Sequence, residues 1–222
     1  MSNASNPLGS VMPEAKKRLL AALSAARGVA VIEDDIYGDL CFDSQRPWPI
    51  KAYDTTGNVL LCSSFSKSLS PSLRIGFVAA GRYRPALALQ KTITSGGTNP
   101  ITQHVLAEYL DSGAYERHLR GLRRCYERQV ERMRQAVTRH FPAETRMTQP
   151  QGGFVLWLEL PGEIDATALH EKAVAQGLAF VPGELFSASG MYRNCLRLNC
   201  GNPHGPDIDD AIRRLGQLVG QA

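Results

Sequence analysis

The sequence has no long hydrophobic run, few aromatic residues and few cysteines. No apolar stretch reaches the roughly 18 residues that a membrane-spanning helix needs, and aromatic residues make up only 7% of the chain. The five cysteines are odd in number and lack Cys-x-x-Cys spacing. A disulfide scaffold is therefore excluded, and a reducing, cytoplasmic compartment is predicted, with no membrane partner.

Neither disorder nor a strongly charged chain is indicated by the composition. Hydrophobic residues make up 43% of the 222 residues, enough for a sizeable core in one large or two small domains. The chain has 25 Lys and Arg against 21 Asp and Glu, a net charge of +4. This mild excess does not by itself predict nucleic-acid binding. The five histidines have no metal-ligand spacing, so no metal site is predicted.

The N-terminus begins abruptly. Residues 1–4 are typical of a start codon followed by an expression scar, and we expect them to contribute nothing to the fold. Residues 5–9 are typical of the middle of a protein. We therefore expect the chain to be a fragment of a longer protein.

Short apolar runs alternate with a helical pattern in the first part of the chain. Leucines spaced for one apolar face predict a helix over 13–26. Continuous apolar runs at 29–32, 59–62 and 75–79 are typical of buried parallel strands. The pattern predicts an α/β sheet that is covered on both faces.

A long helical stretch follows over about 100–140, with a break near Ser112-Gly113. Its apolar residues fall at spacings of three and four, which predicts one buried stripe. The stripe consists of Leu119, Leu122, Tyr126, Val130, Met133 and Val137. Arginines at 120, 124, 128 and 132 lie on the opposite face, and we interpret them as solvated rather than as a surface for DNA or an acidic partner.

After Pro150 the pattern changes to that of a small α+β unit. Strands are predicted over 153–160, 179–181 and 195–199, and helices over 166–176 and 207–219.

Polar groups follow the first two predicted strands. Carboxylates at 33–35 and the phenol of Tyr37 come directly after the first strand, where open α/β sheets bind ligands. A helix cap or a loop acid is the alternative. After the second strand, residues 63–74 contain several hydroxyls together with Lys67 and Arg74, a set that could hold a phosphate and offer an amine nucleophile. A solvated surface lysine is the alternative there.

An arginine also lies in the predicted strand near the C-terminus. Arg197 stands between two leucines, so its side chain is either on the wet face or directed at an anion. A planar guanidinium suits a carboxylate, which it can bind through two parallel hydrogen bonds.

Five short motifs, taken in order, resemble the fold-type I pyridoxal-phosphate enzymes, specifically the class I/II aminotransferases. They are Asn6-Pro7-x-Gly9, Asp34-x-x-Tyr37, Ser64-x-Ser66-Lys67 with Arg74, Gln151-Gly152-Gly153 and Leu196-Arg197-Leu198. Each motif is weak alone, and their shared order from Asn6 to the end makes the resemblance specific.

The resemblance implies roles around the cofactor ring. Lys67 would be the Schiff-base lysine and would move the proton as general base. Asp34 would pair with the pyridine nitrogen, so that the ring acts as an electron sink. Tyr37 and Asn6 would donate to the phenolate oxygen of the cofactor.

It also implies the anion contacts. Ser64, Ser66 and Arg74 would bind the cofactor phosphate, and Arg197 would bind the α-carboxylate of the substrate.

The family implies a domain division and an incomplete chain. We expect a partial cofactor-binding large domain over 5–113, with part of its mostly parallel sheet, and a smaller α+β domain over 114–222. Family members are about twice this length, and the missing upstream half supplies sheet strands and part of the cofactor site. We therefore expect this chain alone to be largely free of cofactor and without transamination activity.

A finer resemblance is to the MocR branch of the GntR transcriptional regulators. It rests on the seven-residue spacing between Lys67 and Arg74, the acidic run 33–35 and the segment from His118 to Tyr126. This implies an effector-sensing, dimerising domain that binds an amino acid or amine, with DNA bound only through an absent N-terminal domain. The alternatives are a fragment of a free-standing amino-acid aminotransferase and a dimerisation module without cofactor.

Overall fold

The computed structural model describes residues 1–162, 164–203 and 205–221, so His204 lies outside the described residues. It has two compact units, which are described separately. Unit 1 comprises Met1–Ser5 and Ser10–Arg124, and unit 2 comprises Asn6–Gly9 and Cys125–Ala222. No described helix is both long enough and apolar enough to span a bilayer.

Unit 1 contains a three-stranded sheet of β1 (Val31–Asp34), β2 (Val59–Ser64) and β3 (Gly76–Ala79), in that order. The three predicted strands are confirmed, although β1 begins two residues later than expected. The β1 and β2 strands are parallel, whereas β3 is antiparallel to β2. The link over 65–75 is too short for the helical crossover that a parallel neighbour requires.

Four helices accompany this sheet: α1 (Glu14–Arg27), α2 (Arg84–Ser95), α3 (Pro100–Asp111) and the first part of α4 (Ala114–His140). The α1 helix ends at Gly28, whose φ of 65° is left-handed and whose N–H bonds the carbonyls of Ala25 and Ser24. It packs through Ala21 on a small core that includes Ile50 and Val59. The α2 helix was not predicted.

The sheet of unit 1 is partly exposed within the described chain, whereas its apolar runs taken alone predict strands that are covered on both faces. All four residues of β3 are exposed, and Ile32 of β1 is 74% exposed. Alternation explains the pattern in β1, since Glu33 is buried on the face opposite to Ile32. A continuous apolar run indicates a strand, but it does not show that both faces are buried.

Residues 2–4 belong to the interior of unit 1. Ser2, Asn3 and Ala4 are each at most 1% exposed. The carbonyl of Ser2 accepts a hydrogen bond from the Met12 N–H at 2.7 Å. The expectation that these residues contribute nothing to the fold is wrong. Their origin as an expression scar stays a prediction.

Unit 2 contains an antiparallel four-stranded sheet in the order β4-β5-β7-β6. Its strands are β4 (Arg146–Met147), β5 (Val155–Glu159), β6 (Val181–Pro182) and β7 (Cys195–Asn199). Two further helices, α5 (Ala166–Val174) and α6 (Pro206–Gly220), complete it. The predicted strands and helices are confirmed with shifted ends, and β4 was missed.

The α4 helix is continuous from Ala114 to His140, and Gly113 separates it from α3 through a φ of 69°. Its apolar stripe is confirmed, because Leu119, Val130, Met133 and Val137 are each at most 5% exposed. The four arginines of the opposite face are exposed.

The described cysteines are all free thiols, and Cys41, Cys195 and Cys200 are buried. Burial raises the pKa of Cys41 to about 11 and that of Cys200 to about 12. These thiols are structural apolar groups rather than nucleophiles.

Candidate functional site

The carboxyl ends of the two parallel strands of unit 1 bring two predicted segments to one sheet edge. Asp34 is opposite Cys62 in the β1–β2 register, and the chain leaves β2 at Ser64 into the turn that carries Lys67. A parallel pair ends at a shared edge, so the acid and the lysine segments are neighbours.

The three consecutive acids at the end of β1 alternate between faces. The Glu33 carboxylate accepts hydrogen bonds from the N–H groups of Ile50 and Lys51, at 2.8 and 2.9 Å, and from the Ser2 hydroxyl. Asp35 is 1% exposed. The Asp34 side chain is half-buried, and among the described residues it accepts one local bond, from the Ile36 N–H at 3.2 Å. Of the three acids, Asp34 is the one left for a ligand.

Asp35 is instead the centre of a buried polar cluster. Its carboxylate accepts from Asn3 Nδ2 at 2.9 Å and pairs with Arg46 at 2.5 Å. Burial raises the pKa of Asp35, and the Arg46 charge opposes that rise. Lys17, 2% exposed, donates to Asn3 Oδ1 at 2.6 Å and to the Trp48 carbonyl at 2.8 Å, and burial lowers its pKa.

Lys67 lies in a tight turn directly after β2. The Phe65 carbonyl closes the turn by accepting from the N–H groups of Leu69 and Ser70, at 2.8 and 3.2 Å. Ser66 N–H bonds the Ser64 hydroxyl at 3.4 Å. The Lys67 side chain is exposed, and its amine has no hydrogen-bond partner among the residues that the structure describes. It is free to bind a carbonyl compound.

Arg74 closes the same segment in an unusual backbone conformation. Its φ of 52° is left-handed, which costs a non-glycine residue about 1 kcal/mol. Two residues later, a Cβ on Gly76 would lie 2.7 Å from the Ser63 carbonyl oxygen, so only glycine fits there. The backbone thus fixes Arg74 between β2 and β3, and its exposed guanidinium makes no ion pair within the described ranges.

The turn after β1 contains the predicted Tyr37 and a residue that sequence reasoning missed, Asp39. Tyr37 is 6% exposed, so its ring is part of the interior. Asp39 pairs with Arg46 at 2.6 Å and accepts from the Tyr115 hydroxyl at 2.8 Å. The acidic run 33–35 indicates a charged cluster, but no local sequence pattern predicts which distant residues pair with it.

Unit 2 contains a separate anion-binding candidate on β7. Arg197 donates to Asn6 Oδ1 at 2.9 Å, and its guanidinium lies 5.3 Å from the centre of the Phe186 ring. Its Nε is buried and has no hydrogen-bond partner in the described chain. An unpaired buried donor on a guanidinium fits a carboxylate that the structure does not contain. Asn6 and Arg197, predicted from separate motifs, are brought together here.

The residues present fit pyridoxal phosphate when each unit is considered by itself. In unit 1 the unpaired Lys67 amine and Arg74 guanidinium suit an aldehyde and a phosphate, and Asp34 suits a protonated ring nitrogen. No group of three or more potential metal ligands occurs within the described ranges.

Comparison with known proteins gives a consistent family. The model of aminotransferase class I and II matches residues 1–215. The Escherichia coli K12 HTH-type transcriptional regulator YjiR is 40% identical over 99% of this chain and 47% of its own length. YdcR of the same organism is 37% identical over 99% of this chain and 47% of its own length. The chain thus spans about half the length of these curated relatives.

Solved structures agree. LysN, the α-aminoadipate aminotransferase of Thermus thermophilus, was solved with N-(5'-phosphopyridoxyl)-L-leucine. It matches with a TM-score of 0.90 and 32% identity, covering 100% of this chain and 58% of that one. The family model over residues 1–215 and the structural match to LysN lead to one conclusion: the chain belongs to the class I and II aminotransferase family, whose cofactor is pyridoxal phosphate.

Proposed function

We propose that this chain is the cofactor-binding, effector-sensing and dimerising domain of a cytoplasmic transcriptional regulator of the MocR branch of the GntR family. The observation that carries cofactor binding is the unpaired Lys67 amine in a turn at the same sheet edge as Asp34. The regulator part is supported by the similarity to YjiR and YdcR over 99% of the chain. In such a parent, DNA would be bound by a domain outside this sequence.

Three residues of this chain would each bind a different group of the cofactor. Lys67 would bind the cofactor aldehyde through its amine and hold or move a proton at the substrate Cα. Asp34 would keep a proton on the ring nitrogen, and Tyr37 would donate to the ring oxygen. When bound, the cofactor supplies an electron sink for the substrate carbanion.

The anionic groups would be held by the remaining predicted residues. Arg74 and the hydroxyls of Ser64 and Ser66 would bind the phosphate. Arg197 would bind the carboxylate of an amino acid, and Asn6, already bonded to Arg197, would fix the guanidinium in place.

A free-standing amino-acid aminotransferase is the second candidate. The observation that favours it is the match to LysN over the whole chain at 32% identity. The two candidates share the same site residues and differ in what the parent protein joins to this domain. Reading the gene upstream of Asn6 for a winged helix separates them.

The test of cofactor binding uses the full-length protein and borohydride reduction with pyridoxal phosphate. We expect one labelled peptide, containing Lys67, and no label in Lys67→Ala. Lys91→Ala is the matched control, because Lys91 is exposed and donates to a backbone carbonyl, that of Gly96, at 3.0 Å. Label on Lys51 or Lys91 would refute the assignment.

A further inference from the structure

One aromatic side chain contacts the Lys67 turn on both sides of the lysine. The Tyr115 ring packs edge-on against the Phe65 ring, with centroids 5.8 Å apart and planes at 70°. Its hydroxyl lies 2.9 Å from Ser68 Oγ. The residue two before Lys67 and the residue just after it therefore both rest on the first turn of α4.

The same hydroxyl reaches the segment that follows Asp34. Tyr115 donates to Asp39 Oδ2 at 2.8 Å, and the other oxygen of that carboxylate accepts from Arg46 at 2.6 Å. With Asp39 taking the single phenolic proton, the Ser68 hydroxyl can donate to the Tyr115 oxygen. One oxygen atom thus joins the two segments predicted to hold the cofactor.

Two further residues on the same part of α4 bind the backbone of these segments. His118 Nε2 lies 2.7 Å from the Ser68 carbonyl oxygen, which requires the tautomer that carries a proton on Nε2. Arg123 Nε donates to the Asp39 carbonyl at 2.7 Å. Together with Tyr115 they hold both segments against one helix.

Burial makes this contact costly to lose. Tyr115 is 8% exposed and Ser68 is 3% exposed. Burial raises the pKa of Tyr115 well above its usual value, so the phenol stays a neutral donor. Without that partner, the half-buried Asp39 carboxylate and the buried Ser68 hydroxyl would each lose a hydrogen bond.

We propose that Tyr115 is a positioning residue that sets the Lys67 turn against the segment following Asp34 and Tyr37. This rests on the proposed cofactor function, because the lysine is positioned for a cofactor that Asp34 also contacts. The phenol touches neither lysine nor cofactor in this account and acts through Ser68, Phe65 and Asp39.

The test is Tyr115→Phe in the full-length protein, which keeps the ring contact and removes the hydroxyl. We expect the affinity for pyridoxal phosphate, titrated by visible absorbance, to fall about tenfold, and borohydride labelling of Lys67 at equal cofactor occupancy to slow. Tyr109→Phe is the matched control, since its ring packs on Tyr115 at 6.5 Å. It should match wild type.

A second variant removes the same contact from the other side. Ser68→Ala should also weaken cofactor binding, and Tyr115→Phe with Ser68→Ala should weaken it by less than the product of the single effects. Multiplicative effects would overturn the proposal. So would a Tyr115→Phe protein that melts earlier but binds and labels like wild type, since that is a structural role only. Absence of any label on wild-type Lys67 would instead refute the proposed function, and this inference with it.

Discussion

At the residue scale, the chemistry depends on which face of β1 a carboxylate occupies. Glu33 and Asp35 are each 1% exposed, and they bond backbone amides, Asn3 and Arg46 inside unit 1. Asp34, between them, is on the other face with the exposed Ile32. Because neighbouring positions of a strand point to opposite faces, Asp34 is a candidate cofactor ligand whereas the acids on either side of it are structural.

This alternation gives opposite expectations for two neighbouring variants. Arg46 is partly buried and pairs with Asp35 and Asp39. Asp35→Ala would remove one of these two carboxylates, so it should lower the free energy of unfolding by about 2–4 kcal/mol. Asp34→Ala should leave stability nearly unchanged and abolish the cofactor's visible spectrum in the full-length protein. Urea unfolding and absorbance titration measure the two effects. Equal loss of stability in both variants would contradict the alternation.

A pH dependence follows from the turn before β2. The Asp54 carboxylate accepts from Lys51 Nζ at 2.8 Å and from the Val59 N–H at 3.0 Å. Burial alone would raise the pKa of Asp54, but the Lys51 hydrogen bond and the backbone donors hold it well below its usual value. A lowered folded-state pKa stabilises the fold above about pH 4, and this contribution is lost as pH falls.

We therefore expect the urea midpoint of the wild type to fall below about pH 4 more steeply than that of Asp54→Asn. The variant is less stable at neutral pH, where it lacks the charge, and the difference should shrink towards low pH. Parallel curves for the two proteins would contradict the assignment.

The candidate residues could be predicted from sequence because they follow strand ends and keep motif order, as Asp34, Lys67 and Arg197 do. The long-range contacts that hold them in place could not be predicted. Tyr115 bonds Asp39, 76 positions earlier, and Asn6 bonds Arg197, 191 positions later. Such partners are chosen by tertiary packing, and no local pattern records them.

At the element scale, strong periodicity was informative and weak periodicity was not. The long α4 stripe and the five residues of β7 were predicted, because an element that buries one face has apolar residues at regular spacing. The α2 helix, which has no buried residue, and β4, which has only two residues, were not predicted. The antiparallel direction of β3 was also missed, since apolar runs do not encode strand direction.

The α4 stripe predicts a sharp contrast between adjacent positions. Leu119 is 1% exposed, and its truncation to alanine should lower the free energy of unfolding by about 2–4 kcal/mol. Arg120→Ala, one residue later on the exposed face, should change it by less than about 0.5 kcal/mol. Denaturant unfolding of the two variants gives the comparison. Similar losses would mean that the stripe does not mark the buried face.

At the scale of the whole molecule, unit 1 exposes apolar sheet surface. Ile32, Phe77 and Val78 are 74%, 47% and 42% exposed, and β1 and β3 each pair on one side only within the described chain. Exposed apolar faces beside unpaired edges favour association between copies.

We expect the 222-residue chain to associate as its concentration rises. Phe77→Lys, which places a charge on the exposed β3, should raise the concentration at which light scattering increases. Leu185→Lys is the control, an equally apolar residue of unit 2 that is 75% exposed outside the strands. An equal improvement by both substitutions would point to general charge rather than to β3.

Each unit contains a buried cysteine whose alkylation can measure local unfolding of that unit. Cys41 belongs to unit 1 and Cys200 to unit 2, and both are 1% exposed. An alkylating reagent reaches such a sulfur only during a transient excursion, so its modification rate measures the population of that excursion. Mass spectrometry of the two peptides from one alkylation reaction would then show which unit opens locally more often, without any mutation.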